Sequence, residues 1–251
     1  MTTVPTVPTM TVLRSEWTKL TTLRSQWITP LVATVLTIGL ALAVTLAYGT
    51  VEVSLTEDQS VGIYYGLNFG QVAVACFGIL LVGQEYGSGT IRTSLTAVPR
   101  RGLLYTGKLL LGTGTGLLLG LVSTAGAFLA VGSVADLDLG APAVGRSVTA
   151  GVLYHPLLVV ICLGATTMLR NLTAAVGLLT PVVFLGTPLL SAVPGVREVV
   201  QFLPDRAGRY ALRFNDDPAV HYGHWTGLLI MALWAAAAAY GGWRSLHRHD
   251  A

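Results

Sequence analysis

The sequence predicts an all-α integral membrane protein, with six transmembrane helices preceded by an interfacial amphipathic helix. Three observations carry this. Hydrophobic residues make up 53% of the 251 residues and charged residues only 11%, against about 25% charged in an ordinary globular protein. Mean hydropathy is +0.66 over 26.4 kDa, more apolar surface than a globule of that size can hide, so lipid must cover the remainder. The apolar runs last about 20 residues, the length of a spanning helix and twice that of a barrel strand. Helices satisfy their own backbone hydrogen bonds in lipid. A soluble enzyme is excluded.

Residues 1–10 (MTTVPTVPTM) are rich in Pro and Thr and are expected to form a disordered tail ahead of a single membrane domain over 11–251. No basic region leads directly into a short apolar run with a small-residue cleavage site, so no removable signal peptide is expected. Over 11–27, Leu13, Trp17, Leu20, Leu23 and Trp27 recur at steps of four, three, three and four, which is one face of a helix. With Arg14, Lys19 and Arg24 beside the tryptophans, this reads as a helix lying on the membrane surface. The alternative is an amphipathic helix packed on a soluble partner. Six apolar spans follow, at approximately 28–48, 61–83, 104–132, 148–168, 172–192 and 225–243. The third is long enough to tilt. Only Leu169, Arg170 and Asn171 join the fourth to the fifth, so these two form an antiparallel hairpin. Pro181 and Pro188 can kink or break the fifth span. If it breaks and re-enters, the 193–224 segment changes sides.

Lys and Arg in short flanks set orientation. An N-terminus inside places ten basic against three acidic residues in the cytoplasm, net +7, and five arginines against nine acids outside, net −4. The expected topology is therefore multi-pass with both termini cytoplasmic. The basic balance reflects sidedness and not nucleic-acid binding.

Several motifs lose their meaning in this setting. Gly102 to Lys108 fits the GxxxxGK spacing of a nucleotide-binding loop, but Leu109 stands where Ser or Thr would meet magnesium, and no strand precedes. Lys108 reads instead as an interfacial cation snorkelling to headgroups. Gly112, Gly116 and Gly120 form two overlapping GxxxG steps, a helix-packing face whose partner, internal or a second copy, the sequence leaves open. Polar groups inside apolar spans are costly and face protein or a cavity. Asn68 and Gln71 are read either as interhelical hydrogen-bonding glue or as path lining. His155 either bonds the carbonyl freed near the Pro156 kink or lines a path. No pair of buried carboxylates is legible, which weighs against an ion-coupled carrier. Cys76 and Cys162 read as small packing residues, and His221, His224, His247 and His249 have no partners at ligand spacing, so no metal site is expected.

One stretch is more specific. After the second span the chain reads Gly83-Gln-Glu85-Tyr86-Gly-Ser-Gly89-Thr90-Ile91-Arg92, then Pro99-Arg100-Arg101. Spacing alone describes a compact charged loop that docks a partner. The phrase resembles the E-Y-x-x-G-T-I-R and P-R-R signature of the membrane subunits of ABC-2 type exporters. Leu13 to Leu20 (LRSEWTKL) resembles the N-terminal interfacial helix of that family, and Phe202 to Gly208 resembles a phrase between its last two spans. The likeness covers nearly the whole chain, which would make 11–251 a single ABC-2 type transmembrane domain.

The resemblance implies a permease subunit of an ATP-driven exporter, assembled with a second copy or a sister permease and two cytoplasmic ABC ATPase subunits. The chain itself would be no enzyme and bind no cofactor, ATP and Mg2+ sitting on the partner. Glu85, Tyr86, Gly89, Thr90, Arg92, Arg100 and Arg101 would form the coupling element seated on the ATPase, with Glu85 and Arg92 tying it to the membrane helices. The 193–224 region would form short re-entrant helices capping the path. Asp205 and Arg206 depart from the small polar residues expected at that cap. The rival readings are a membrane scaffold or immunity protein that moves nothing, and an ion-coupled carrier.

Overall fold

The computed structural model describes residues 9–48, 58–98, 100–137, 140, 142–193 and 195–248. Among these there are eleven helices and no strand. They are α1 (Thr9–Thr22), α2 (Arg24–Tyr48), α3 (Ser60–Ile63), α4 (Leu67–Ser88), α5 (Thr90–Ala97), α6 (Arg101–Gly132), α7 (Pro142–Leu169), α8 (Leu172–Ser191), α9 (Arg197–Val200), α10 (Pro204–Leu212) and α11 (His224–Arg248). Six of them, α2, α4, α6, α7, α8 and α11, are long and apolar enough to cross a membrane. The tail expected over 1–10 lies outside the described residues except for Thr9 and Met10, which open α1.

Several boundaries move for identifiable reasons. The amphipathic helix stops at Thr22, one residue before Leu23, and Trp27 belongs to α2. Its inward stripe is Val12, Glu16 and Leu20, so of the expected apolar face only Leu20 is buried, while Trp17 and Trp27 stand about half exposed. The second span is divided. A single turn, α3, precedes a break at Tyr64–Gly66, and α4 then runs five residues beyond the expected end to Ser88. Gly89, at φ 73, stops it in the left-handed conformation that glycine adopts without penalty. The fourth span begins at Pro142, and the last extends to Arg248. Pro181 and Pro188 both lie inside an unbroken α8. Asn171 caps that helix by accepting a hydrogen bond from the Ala174 amide at 3.0 Å, so the hairpin with α7 turns on one residue, Arg170, itself left-handed at φ 54.

The bundle is organised around α7, which packs on α4, α6, α8, α10 and α11. The glycine stripe of α6 faces it, so its partner is internal. A Cβ built on Gly116 would stand 2.7 Å from the Pro156 Cα, and one on Gly120 would run into the Val152 carbonyl. Pro156 has no N–H to offer that carbonyl. His155 does not recover it either: its Nδ1 lies 3.1 Å from the Gly151 carbonyl, one residue earlier.

The first described helix, α1, and the end of α11 reach the same end of the bundle. There α1 packs on the first half of α6, and Arg101 donates to the Leu246 carbonyl of α11 at 3.1 Å. The 193–224 segment lies at the other end. Its Phe214 and Asn215 amides donate to Asp58 at 3.3 Å each, and Arg146 donates to the Arg213 carbonyl at 2.6 Å. The six long apolar helices thus carry this segment at the end opposite α1. The α9–α10 hairpin packs along α11 and α7: Trp234 donates to the Phe202 carbonyl at 2.9 Å, and ten residues along α11 correspond to about 15 Å from its start.

Candidate functional site: a buried charge cluster beside a cleft

Lys108 is 3% exposed, and the snorkelling role expected for it does not hold. A cation inside an apolar helix must find compensation, and this one finds three acceptors: Glu16 Oε2 at 2.7 Å, Glu85 Oε1 at 2.8 Å and the Leu81 carbonyl at 3.1 Å. The half-buried Lys19 closes the group, donating to Glu16 Oε1 and Glu85 Oε1 at 2.6 Å each. Two carboxylates and two ammoniums therefore join α1, α4 and α6 in a neutral cluster. A buried carboxylate pair does exist, contrary to the sequence reading, with lysine between its members. Glu85 Oε2 is buried without a hydrogen-bond partner. Burial alone lowers the Lys19 pKa, but hydrogen bonds to Glu16 and Glu85, with their charges, outweigh it and raise the value above 10.5.

Glu85 thus belongs to the last turn of a spanning helix and not to a loop. Tyr86, one residue on, is half-buried beside the Arg170 guanidinium. Gly89 turns the chain, Thr90 opens α5, and Ser88 and Thr90 share a hydroxyl hydrogen bond at 2.8 Å. A cleft of about 960 Å³ opens here between the α1–α2 junction, the end of α4, α5 and the α7–α8 turn. Lys19, Gln26, Gln84, Ser94, Arg170 and Asn171 line it beside Leu23, Leu81 and Leu172. Mechanically, α4 is one continuous helix through Glu85, fastened sideways to α1 and followed after Gly89 by α5.

The remaining expected residues fall elsewhere. Arg92 is exposed on α5, and no hydrogen bond or ion pair joins it to a spanning helix among the described residues. Pro99 lies outside the described residues, while Arg100 and Arg101 begin α6 on the side of α11. Leu13 is half-buried and Leu23 exposed. Asn68 accepts from Arg209 of α10 at 2.7 Å, and Gln71 accepts from Tyr154 of α7 at 2.6 Å. Both bond across helices. Asn68 also borders a cavity of about 160 Å³ beneath α10. His155 is buried, and its Nε2 has no partner. Asp205, the departure from the family phrase, is held by Thr187 at 2.6 Å and Arg209 at 3.0 Å, a packing role. Among the described residues no three His, Cys, Asp or Glu side chains are grouped to hold a metal ion.

Sequence reasoning missed Glu16 and the true role of Lys108. The signal was present: Glu16 occupies the same four-residue stripe as Val12 and Leu20, and an acid within an apolar stripe requires a buried cation. No protein-family model matches the chain, and no curated protein matches it.

Proposed function

We propose that this chain is the membrane permease subunit of an ATP-driven exporter of the ABC-2 type, with both termini in the cytoplasm of a bacterial cell. It works with a separate ABC ATPase that binds ATP and Mg2+, and with a second copy or a sister permease. One observation carries the reading. The E-Y-x-x-G-T-I-R stretch is the junction where α4, clamped through Glu85 to Lys108 and Lys19, turns at Gly89 into the surface helix α5. A rod gripped at that junction transmits force from a docked protein into the bilayer without hydrolysing anything itself. The basic flanks support a cytoplasmic α1 end, and the packing of α10 on α7 and α11 at the opposite end supports a cap there.

The test is affinity purification of the tagged chain from its native membrane, followed by transport in proteoliposomes. The expected result is an ATPase with a full nucleotide-binding loop in stoichiometric yield. Glu85→Gln then inserts normally and loses the coupling of ATP turnover to export. Recovery of no ATPase, or normal export by Glu85→Gln, refutes the assignment and favours a scaffold.

A further inference from the structure

We infer that the cavity beneath α10 is a binding site for a small organic oxyanion, a carboxylate or phosphate monoester on a short apolar body, gripped by Arg206 and Arg213. The cavity, about 160 Å³, lies at the end of the bundle opposite α1, and Arg206, Arg209 and Arg213 line it. The side chains of Arg206 and Arg213 each donate one hydrogen bond among the described residues, and both go to the same oxygen, Asp217 Oδ2, at 3.2 Å. That is longer than the about 2.7–2.9 Å of a close charge-assisted bond. Arg209 has its own acid, Asp205, at 3.0 Å. Three guanidiniums therefore meet two carboxylates, which leaves one positive charge over among the described residues. The neighbouring described acids are turned elsewhere: Asp58 accepts from the Phe214 and Asn215 amides, and Asp216 faces His224. A guanidinium presents its N–H donors in a planar fork that matches a carboxylate or phosphate, and Asp217 alone does not fill two such forks.

The rest of the lining favours an apolar body over a bare ion. Tyr64, Leu67, Tyr210 and Leu212 face the cavity and are themselves buried. Their places are fixed: Tyr64 donates to the Ser147 carbonyl at 2.9 Å, and the Tyr210 ring stacks on His224 at 4.5 Å between centroids. A preformed wall spares a ligand the entropy of ordering it. A few convergent polar groups set in an apolar lining is the general form of a small-molecule site. A single water needs about 10–15 Å³ of such space, so this cavity takes a ring or a few carbons with one charged group, and not an acyl chain. The site lies at the other end of the bundle from the Glu16–Lys108 cluster and does not depend on the exporter reading.

The experiment uses the full purified chain in non-ionic detergent, dialysed to equilibrium against radiolabelled phenyl phosphate with empty micelles as the baseline. One phenyl phosphate per chain is expected to bind, to be displaced by benzoate and to resist benzyl alcohol. Inorganic phosphate, lacking the ring, competes at least about tenfold more weakly. Arg206→Gln and Arg213→Gln each weaken phenyl phosphate by about tenfold, the low end for a charged hydrogen bond, because the two side chains are partly exposed. Arg14→Gln, exposed on α1 at the other end, changes nothing. Melting temperatures show whether the variants stay folded, and the competition series on the wild-type chain decides the matter without them. Undiminished binding in both folded arginine variants, equal displacement by benzyl alcohol, or inorganic phosphate binding as tightly as phenyl phosphate overturns the assignment. No ATPase enters the measurement, so such a result leaves the exporter reading standing.

Discussion

Replacing Lys108 by Met tests the clamp between α1 and the spanning helices most directly. Met keeps the aliphatic volume and removes an ammonium bonded to Glu16, Glu85 and the Leu81 carbonyl. Two carboxylates then share Lys19 alone, and removing one partner of a buried ion pair costs about 3–5 kcal/mol. Lys19 is 36% exposed at its side chain and still contacts both carboxylates, so the low end, about 3 kcal/mol, is the appropriate figure. At about 1.4 kcal/mol per decade this shifts the docking equilibrium of α1 roughly a hundredfold. Val12, 2% exposed and packed toward Gly107, reports that equilibrium. A Val12→Cys reporter, in a background with Cys76 and Cys162 replaced by alanine, is protected from thiol reagent while α1 is docked. Its labelling rate is expected to rise about a hundredfold on adding Lys108→Met. A rise below about tenfold means that apolar packing, and not the charge cluster, holds α1.

Three further outcomes follow from the same structure. Gly120→Val, which drives a side chain into the Val152 carbonyl, is expected to destabilise the bundle by about 1–3 kcal/mol or more; Gly114→Val, with nothing within 4 Å, leaves the detergent melting temperature unchanged. Asp58→Ala releases the amides of Ser60, Phe214 and Asn215, so hydrogen exchange over 213–217 accelerates by about one to two decades while exchange in α1 does not change. The Lys19 pKa is raised on folding, so its contribution is complete below its unfolded value and is lost as pH rises through the higher folded value. Trp17 emission therefore shifts above about pH 10.5, and Lys19→Met removes that shift.

Particular residues show where sequence reasoning reached its limit. Six spans and the α7–α8 hairpin were legible because hydropathy is local and the bilayer fixes helix length. The glycine stripe was legible as a packing face, yet its partner was not, because any helix with exposed backbone fits a GxxxG surface. Only α7, whose Pro156 leaves the Val152 carbonyl bare, closes that contact. Glu85 was picked out by its phrase, but its place on a helix depended on Lys108, which is 23 residues away in the chain.

By itself, then, the sequence determined that this chain is all-helical and carries six helices long and apolar enough to cross a membrane. These follow from one-dimensional sums of transfer free energy along the chain. Tertiary structure alone decided that Glu16, Lys19, Glu85 and Lys108 neutralise one another. Compensation of a buried charge is a relation between elements distant in sequence, and no local pattern encodes which cation reaches which acid. The inward turn of α1, with Glu16 facing the bundle and Trp17 facing out, is the consequence.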